Sequence, residues 1–514
     1  MAPRGRASDV PLIGACDGIP ATRIVICSLE PLSWLPHHNV GHAGERTNAV
    51  NAPDVDSHSN PYRPPAPYPK RMLSLGDGDL LSMLPEICFQ RSFIKLGTRK
   101  RPIVILSDPA AIKAVLSDDT DAFPKSNLMV KAFEPLLGNG LLISNGNDWR
   151  RQRAMLEGAF SQMRVRSVFK QMKTAVDQFF DRAGRAATDE VSLPAEMSAL
   201  ALEVIYRTIL SVGLGDGEAA KIYRAFSTYQ HLVPEAAPLA LVGRAETHEH
   251  AEDALREASQ TLRGLIGNLV DRRMSERGPD EASADVLQAI ITARDPADGG
   301  GFTRDEIIDQ VAVLFLAGHE TSANSLTWAL FILSQQDKAA AELRREADAV
   351  APGRYLTYEE VQSFSLARQI FLETLRLYPP AGFLTRIAAR RLSLGDHQIE
   401  AGSLIVMSPW IIHRHQLLWQ SADRFIPDRF SKENERRIPV GAFVPFGWGP
   451  RICSGRALAL IEVPFFIVEI VRRFRIEVLD LSTVEPAARL TIQPKNDIRC
   501  YLRPVAPLGL GRDD

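Results

Sequence analysis

The sequence lacks several features that are typical of common protein classes. Its 514 residues carry 60 lysines and arginines against 62 aspartates and glutamates, so no excess of one charge attracts the chain to nucleic acid or to an anionic membrane surface. The few cysteines form no Cys-x-x-Cys pair, which argues against a disulfide framework, a zinc ribbon and an iron–sulfur cluster. They are Cys16, Cys27, Cys88, Cys453 and Cys500. A reducing, cytoplasmic compartment is therefore expected.

Long apolar runs and nucleotide-binding motifs are also missing. The longest apolar run near the start, residues 23–29, is far shorter than the roughly 20 residues that a membrane-spanning helix needs. We therefore expect neither a transmembrane anchor nor a secretory signal. No run of glycines has the spacing of a dinucleotide-binding or phosphate-binding loop, so no nucleotide site is predicted.

What is present is an ordinary globular composition behind an irregular start. With 45% hydrophobic and 24% charged residues, the chain can bury a large core. Residues 1–60 show no periodicity and are interpreted as a disordered or misannotated leader, and the proline-rich stretch 60–69 leads into one domain over residues 61–514. Helical patterns dominate, so the expected fold class is mainly α with small β-sheets. Strand-like runs occur at residues 102–107, 392–399 and 490–498.

A glycine-rich loop near the C-terminus presents one cysteine and continues into an apolar, helix-forming stretch. Cys453 lies at this junction, where backbone N–H groups and the positive end of a helix dipole favour the thiolate, the form that binds iron. The glycines at 447, 449 and 455 let the backbone pass close to a flat cofactor. A free cysteine is usually a small buried hydrophobe, so the assignment depends on the whole pattern Phe-x-x-Gly-x-Arg-x-Cys-x-Gly.

This pattern resembles the heme-binding loop of the cytochrome P450 superfamily, in particular its soluble, bacterial-type heme-thiolate monooxygenases. The resemblance implies that Cys453 is the axial ligand of the iron in heme b, that Phe446 packs over the sulfur and that Arg451 reaches a heme propionate. It also implies the fold of that family, a triangular helical body that holds the heme between a long central helix and the cysteine loop.

A long central helix is predicted by the sequence itself. Thr303 and Glu306 have the spacing of a capping box, and apolar periodicity continues from there to about Gln336. These signals predict a helix that is longer than most globular helices and that crosses the whole molecule.

Within this helix, the segment Ala317-Gly318-His319-Glu320-Thr321 is locally weakened. Thr321 can bond back to the carbonyl of Ala317, which would open the helix and leave a notch for dioxygen and water. The alternative is a plain kink in a buried helix. The segment resembles the family's Ala/Gly-Gly-x-Asp/Glu-Thr motif, which implies that Glu320 and Thr321 relay protons to bound oxygen. His319 matches no motif position and is interpreted as a packing residue.

Two further segments predict a charge network. Glu373 and Arg376 lie three residues apart on one helix face, just before prolines that end the helix, and can pair with each other. Taken alone, such a pair indicates a solvated helix face. The segments around Glu373 and Arg429 resemble the family's Glu-x-x-Arg and Pro-Glu/Asp-Arg-Phe motifs, which implies one buried structural network that supports the cysteine loop.

Other basic residues are candidates for contacts with heme propionates. Trp149 and Arg153 lie four residues apart on a helical stretch, so an indole N–H and a guanidinium can face one propionate together. This pair resembles the family's Trp-x-x-x-Arg motif, and the alternative is a core tryptophan beside a basic surface. Arg386 matches another frequent propionate contact, and its alternative is a surface ion pair.

A separate electron donor is implied, because the residues that follow Cys453 are too few for a flavin or iron–sulfur module. NAD(P)H would act only indirectly, through a reductase. A basic patch near the thiolate side could bind an acidic donor of the ferredoxin or flavodoxin type, although a solvated face is the alternative. The patch comprises Arg150, Arg151, Arg451 and Arg456.

The candidate substrate contacts are apolar. Ala317, Phe383 and Leu384, with neighbouring apolar segments, indicate a hydrophobic small molecule of the lipid, terpenoid, carotenoid or xenobiotic type. The resemblance does not choose among these classes. We expect a monomer that binds no nucleic acid.

The predicted function is a heme-dependent monooxygenase that inserts one oxygen atom of O2 into its substrate by hydroxylation or epoxidation. Two other functions remain open on the same fold. One is a peroxide-driven peroxygenase or an isomerase, which needs no electron donor. The other is a heme sensor or carrier without turnover, for which Glu320 and Thr321 would have no purpose.

Overall fold

The computed structural model describes residues 79–98, 101–118, 120–157, 162–185, 189–210, 249–275 and 285–505, together with isolated positions between 221 and 232. The predicted leader, the proline-rich stretch, Cys16 and Cys27 lie outside these residues. Helices dominate the described chain and the sheets are small, which confirms the predicted fold class. Among the described helices, none is long and apolar enough to cross a membrane.

The helices of the described part are labelled in chain order. They are α1 (Pro109–Leu116), α2 (Asn127–Leu137), α3 (Gly146–Leu156), α4 (Gln162–Arg185), α5 (Leu193–Leu210), α6 (Glu249–Ser275), α7 (Val286–Thr292), α8 (Arg304–Leu333), α9 (Asp337–Val350), α10 (Tyr358–Ser363), α11 (Ser365–Leu377), α12 (Pro409–Ile412) and α13 (Arg456–Arg473). Short 3-10 turns lie at Leu80–Met83, Glu86–Phe89, Pro427–Phe430, Glu435–Arg437, Gly449–Arg451 and Leu481–Thr483.

The strands form four small sheets in the described chain. They are β1 (Phe93–Thr98), β2 (Arg101–Leu106), β3 (Val191–Ser192), β4 (Leu384–Ile387), β5 (Leu392–Leu394), β6 (His397–Ile399), β7 (Leu404–Met407), β8 (Phe474–Val478), β9 (Pro486–Ala488), β10 (Ile492–Pro494) and β11 (Arg499–Pro504). The largest sheet has the order β1-β2-β7-β4, with β2 and β7 parallel and the outer pairs antiparallel. The others are β3-β11-β8 and the hairpins β5-β6 and β9-β10.

Helix α8 is the predicted central helix, and its first turn is fixed by the predicted capping box. The Thr303 side chain accepts the N–H of Glu306, while the Glu306 carboxylate accepts the N–H of Thr303 at 2.8 Å. The 30-residue helix is buried along most of its length and packs against α5, α6, α11 and α13. It ends at Leu333, close to the predicted end.

Two hydrophobic cores meet along α8. Residues Ile307–Leu316 belong to one core, which also includes α5 and α6, and residues Leu326–Leu333 belong to the other, which includes α11 and α13. The middle of the helix, residues 317–325, belongs to neither core. Because apolar packing is interrupted there, this segment lies at the seam where a site can form.

The cysteine loop is packed directly against helix α1. Gly449 has a φ of +67°, and a Cβ atom added there would lie 2.3 Å from the carbonyl oxygen of Leu116. Gly441 has a φ of +90°, and a Cβ atom added there would lie 2.7 Å from the carbonyl oxygen of Pro109. The glycine at 449 was expected to leave room for a flat cofactor, whereas the structure shows that it is needed for close contact with the backbone at the end of α1.

We predict that Gly449→Ala destabilises the protein more than Gly395→Ala does. Gly395, in the β5-β6 turn, has a similar φ of +57° but no atom within 4 Å of an added Cβ, so its substitution costs only the left-handed conformation, about 1–2 kcal/mol. Gly449→Ala adds a clash with backbone atoms that cannot move aside. Urea midpoints of the two variants measure the difference, and equal midpoints would contradict this account of the loop.

Candidate active site at the cysteine loop

Cys453 lies just before the first turn of α13, as predicted. Its N–H donates to the carbonyl of Phe446 at 2.9 Å, and the N–H groups of Gly455 and Arg456 point at its sulfur. The residue is exposed, yet the surrounding protein desolvates its thiol. Cys453 therefore exposes surface for a ligand while protein surrounds most of its thiol.

The electrostatics of Cys453 differ from the expectation that the junction alone favours a thiolate. Burial raises the pKa of the thiol, while the N–H groups of Gly455 and Arg456 and the charge of Arg153 act in the opposite direction. Desolvation is the larger effect, because the Cys453 thiolate would lose its hydrating water at this position. A bound cation removes this penalty, since the thiolate is the form that binds metal.

In the middle of α8, the predicted hydrogen bond from Thr321 is present, but the helix is not opened there as predicted. The Thr321 hydroxyl donates to the carbonyl of Ala317 at 2.7 Å, and Ser325 donates to the carbonyl of Thr321 at 2.8 Å. The helix nevertheless continues through this segment. Ala317 is exposed, between the buried Leu316 and the half-buried Gly318, so the seam opens on this face although the helix is continuous. Gly318 allows α5 to approach, because an added Cβ would lie 2.6 Å from Ile205.

Glu320 is held by a residue far away in the sequence. Its Oε1 atom accepts a hydrogen bond from the Thr491 hydroxyl at 2.7 Å, and the same hydroxyl oxygen accepts the side-chain amide of Asn324 at 2.8 Å. The neighbouring His319 is buried and contacts Ser198 through Nε2. Burial lowers the pKa of His319 to about 4, so it is a neutral packing residue at pH 7.

Two buried cations, Lys125 and Arg386, and the half-buried Arg451 lie close together near the cysteine loop. Burial, followed by repulsion from Arg386 and Arg451, lowers the pKa of Lys125 well below its ordinary value. Burial also lowers the pKa values of Arg386 and Arg451 to about 10, and repulsion from Arg386 contributes to the shift at Arg451. Asp121 is the acid whose charge acts on Arg451. The cluster is therefore short of negative charge and fits a ligand with two carboxylates, such as heme.

Two residues of helix α3, Trp149 and Arg153, contact the cysteine loop. Arg451 lies over the Trp149 ring at 4.1 Å from the centroid and donates to the carbonyl of Ser144 at 3.0 Å. Arg153 Nη1 donates to the Ile452 carbonyl at 2.9 Å and to the Ser454 hydroxyl at 2.7 Å. Trp149 and Arg153 were expected to face one propionate together. The structure places Arg153 beside Cys453, where the Ile452 carbonyl and the Ser454 hydroxyl accept its hydrogen bonds, and the propionate contact shared with Trp149 stays a prediction.

The predicted basic patch is partly neutralised. Arg150 pairs with Asp121 at 2.9 Å, and Arg151 pairs with Glu306 at 2.6 Å. Each ion pair cancels a charge that a docking partner would have used, so this surface is less basic than the sequence suggests.

The predicted charge network is present, and its central pair is fully buried while Arg429 lies at its partly exposed edge. Glu373 and Arg376 have side chains with 0% exposure and pair at 2.7 Å, while Arg429 approaches Glu373 at 3.3 Å. Glu373 also accepts the N–H of Ile426 at 2.9 Å. Arg376 donates to three backbone carbonyls, those of His413, Ala422 and Arg424.

His413 connects this network to the cysteine loop and was not predicted. Its Nε2 accepts the N–H of Val444 at 3.0 Å, and Val444 accepts the N–H of Gly447 at 3.1 Å. Burial, then repulsion from nearby arginines, lowers the pKa of His413 to about 3, so the neutral ring remains an acceptor at pH 7. No local pattern marked this residue, because its partner lies 31 residues away.

We predict that Glu373→Ala lowers the free energy of unfolding by about 3–5 kcal/mol, because it leaves the Arg376 charge buried without its carboxylate. The protein should also fail to retain heme, because the loop loses its support. Glu435→Ala is the matched control: it breaks a half-exposed pair with Arg368 at 2.9 Å, which is worth less than about 1 kcal/mol. Urea denaturation and heme content measure both variants, and a Glu373→Ala protein with full heme content would contradict the prediction.

The chain is similar to known proteins over most of its length. A family model described as "Cytochrome P450" matches residues 64–500. The chain is 28% identical to cyclooctatin synthase of Streptomyces melanosporofaciens, covering 80% of this chain and 89% of the relative. It is 30% identical to pentalenene oxygenase of Streptomyces avermitilis, covering 83% and 93%. The crystal structure of the cytochrome P450DA heme domain has the same fold, with a TM-score of 0.72, 23% identity, and coverage of 81% and 90%.

Proposed function

This chain belongs to the cytochrome P450 family and is a heme-dependent monooxygenase, and from that premise we propose that its substrate is a hydrophobic terpenoid. The observation that most directly supports a heme is the exposed Cys453 at the start of α13, with a cation cluster in the same part of the molecule. The terpenoid class is supported by relatives named cyclooctatin synthase and pentalenene oxygenase.

We assign the heme-binding roles as follows. Cys453 would supply the sulfur that binds the heme iron, Phe446 would pack over that sulfur, and the propionates would be held by the cluster of cations. Beside the predicted Arg386 and Arg451, that cluster includes Lys125, whose backbone N–H is fixed by the Asn145 side chain at 3.1 Å. Trp149 and Arg153 brace the loop from α3. When bound, heme b supplies activation of O2, which thiolate ligation favours.

The proton-handling groups are Glu320 and Thr321. The Glu320 carboxyl group can take up and release a proton, and the Thr321 hydroxyl donates to the Ala317 carbonyl until another acceptor is present. Delivering protons through two fixed side chains keeps bulk water away from the reacting oxygen. This arrangement favours a monooxygenase over a sensor, which needs no proton supply.

The substrate wall is assembled from three segments that the fold brings together. Ala317 is exposed on α8, Phe383 and Leu384 are half-buried at the start of β4, and Ile492 of β10 bonds to the Pro380 carbonyl at 2.9 Å. These side chains are apolar, so binding depends on burial of hydrocarbon surface.

We propose a ferredoxin-type protein as the electron donor, reduced in turn by NAD(P)H through a reductase. A single domain over residues 61–514, a monomeric state and a cytoplasmic location complete the proposal. The match of the family model to residues 64–500 supports the single domain.

A substrate screen tests the proposal. Cyclic terpene hydrocarbons and their alcohols should change the absorption spectrum of the heme at micromolar concentration and be oxygenated when NAD(P)H, a ferredoxin reductase and a ferredoxin are supplied. Fatty acids of equal carbon number are the matched comparison. A response to fatty acids alone would overturn the terpenoid assignment, product formation with peroxide alone would indicate a peroxygenase, and a lack of oxygen consumption would indicate a sensor.

We predict that Lys125→Met accelerates loss of heme by on the order of tenfold, because a hydrogen bond to a charged group contributes about 1.5–3 kcal/mol. The same change removes a cation that repels Arg386 and Arg451, so the heme-free protein should not lose stability. Heme transfer to apomyoglobin and thermal unfolding of the heme-free protein measure the two effects. Lys131→Met, on the exposed face of α2, is the control, and equal transfer rates would rule out the assigned contact.

A further inference from the structure

The hairpin β9-β10 lies along one face of the central helix. Glu320, Asn324 and Trp328 are spaced four residues apart and so share that face. Glu320 and Asn324 bond to the Thr491 hydroxyl, and the Trp328 indole N–H donates to the carbonyl of Ile492 at 3.3 Å. Thr491 and Ile492, where the hairpin turn enters β10, therefore form hydrogen bonds with three successive turns of α8.

The hydrogen bonds around Thr491 have a fixed direction. The Asn324 amide nitrogen can only donate, so the Thr491 oxygen accepts from it, and the single hydroxyl hydrogen is left for Oε1 of Glu320. Thr491 and Asn324 are both buried, so water does not compete freely for these contacts. Oε1 of Glu320 therefore accepts a hydrogen bond. When this carboxyl group binds a proton, the proton lies on Oε2.

The same hairpin tip also reaches the proposed substrate wall. Ile492 packs so closely on Gly382 that an added Cβ there would lie 2.6 Å from the Ile492 side chain. Gly382 directly precedes Phe383 and Leu384. The element that holds the acid is therefore in contact with the segment proposed to contact the substrate.

We propose that Thr491 is a positioning residue for the acid Glu320: its hydroxyl fixes one carboxyl oxygen, so that the other carries the proton that the reaction uses. This inference rests on the proposed monooxygenase function. Thr491 itself gains and loses no proton in this role. Its hydroxyl orders the carboxyl group, and Asn324 orders the hydroxyl.

The test compares Thr491→Val, which keeps the shape but removes the hydroxyl, with Thr491→Ser, which keeps the hydroxyl. We expect Thr491→Val to reduce the product formed per NAD(P)H consumed by on the order of tenfold, with hydrogen peroxide released instead, because protons reach the reacting oxygen less reliably. The substrate dissociation constant should change less than about twofold. Thr491→Ser should restore the coupling to within about twofold of the unmodified protein.

Thr327→Val is the matched control. Thr327 is a buried threonine of α8, the helix that carries Glu320. Among the described contacts, its hydroxyl bonds only to the carbonyl of Ala323, at 2.8 Å. Its substitution should leave the coupling unchanged. Equal losses in Thr491→Val and Thr491→Ser would show that packing rather than the hydroxyl matters, and would overturn the proposal.

A second measurement does not depend on turnover. Infrared spectra of protein labelled with 13C-glutamate, with Glu320→Gln to assign the band, report the hydrogen bonding of this carboxyl group. Thr491→Val should shift the Glu320 band and Thr491→Ser should not. An unshifted band in Thr491→Val would overturn the positioning role, even if the substrate proposal holds. Failure of the unmodified protein to oxygenate any substrate, with the shift present, would count against the proposed function alone.

Discussion

The geometry of the cysteine loop depends on the hydrogen bonds made by the buried guanidinium of Arg376. A guanidinium has five N–H donors, and here its nitrogens make two bonds to Glu373 and three to backbone carbonyls of residues 413–424. Such a charge is tolerated in a dry core only when all its donors are satisfied. The chain after α12 must therefore follow one path, and that path leads through His413 and Val444 to Cys453.

The second constraint is electrostatic and concerns the cofactor rather than the loop. Lys125, Arg386 and Arg451 lie close enough to affect one another, and burial lowers the pKa values of all three. Cations held together in this way oppose folding until an anion joins them. A dianionic heme would remove this repulsion, and a thiolate at Cys453 would at the same time gain a metal partner. Folding and cofactor binding are thus coupled through charge, as linkage requires.

Local sequence patterns identified the features whose partners are near in the chain. The capping box of α8, the Thr321 bond to Ala317 and the pairing of Glu373 with Arg376 span three or four residues, so spacing alone was informative. The contacts that were missed join residues far apart: Thr491 and Glu320 are separated by 171 positions. The short strands β4, β7, β8 and β11 were missed for a related reason. A strand such as β7, buried at all four positions, shows no alternation to distinguish it from a buried helix segment.

The seam in the middle of α8 explains why polar contacts decide the geometry of the site. On either side of residues 317–325, apolar side chains fix the helix in one of two cores. Within the seam, the position of Glu320 depends instead on hydrogen bonds, each of which contributes only about 1 kcal/mol net. Contacts of this strength hold a carboxyl group in one orientation at rest yet allow it to move when a neighbour shifts. Because the hairpin that makes these bonds also packs against Gly382, the choice of substrate and the delivery of protons would share one structural element in the proposed function.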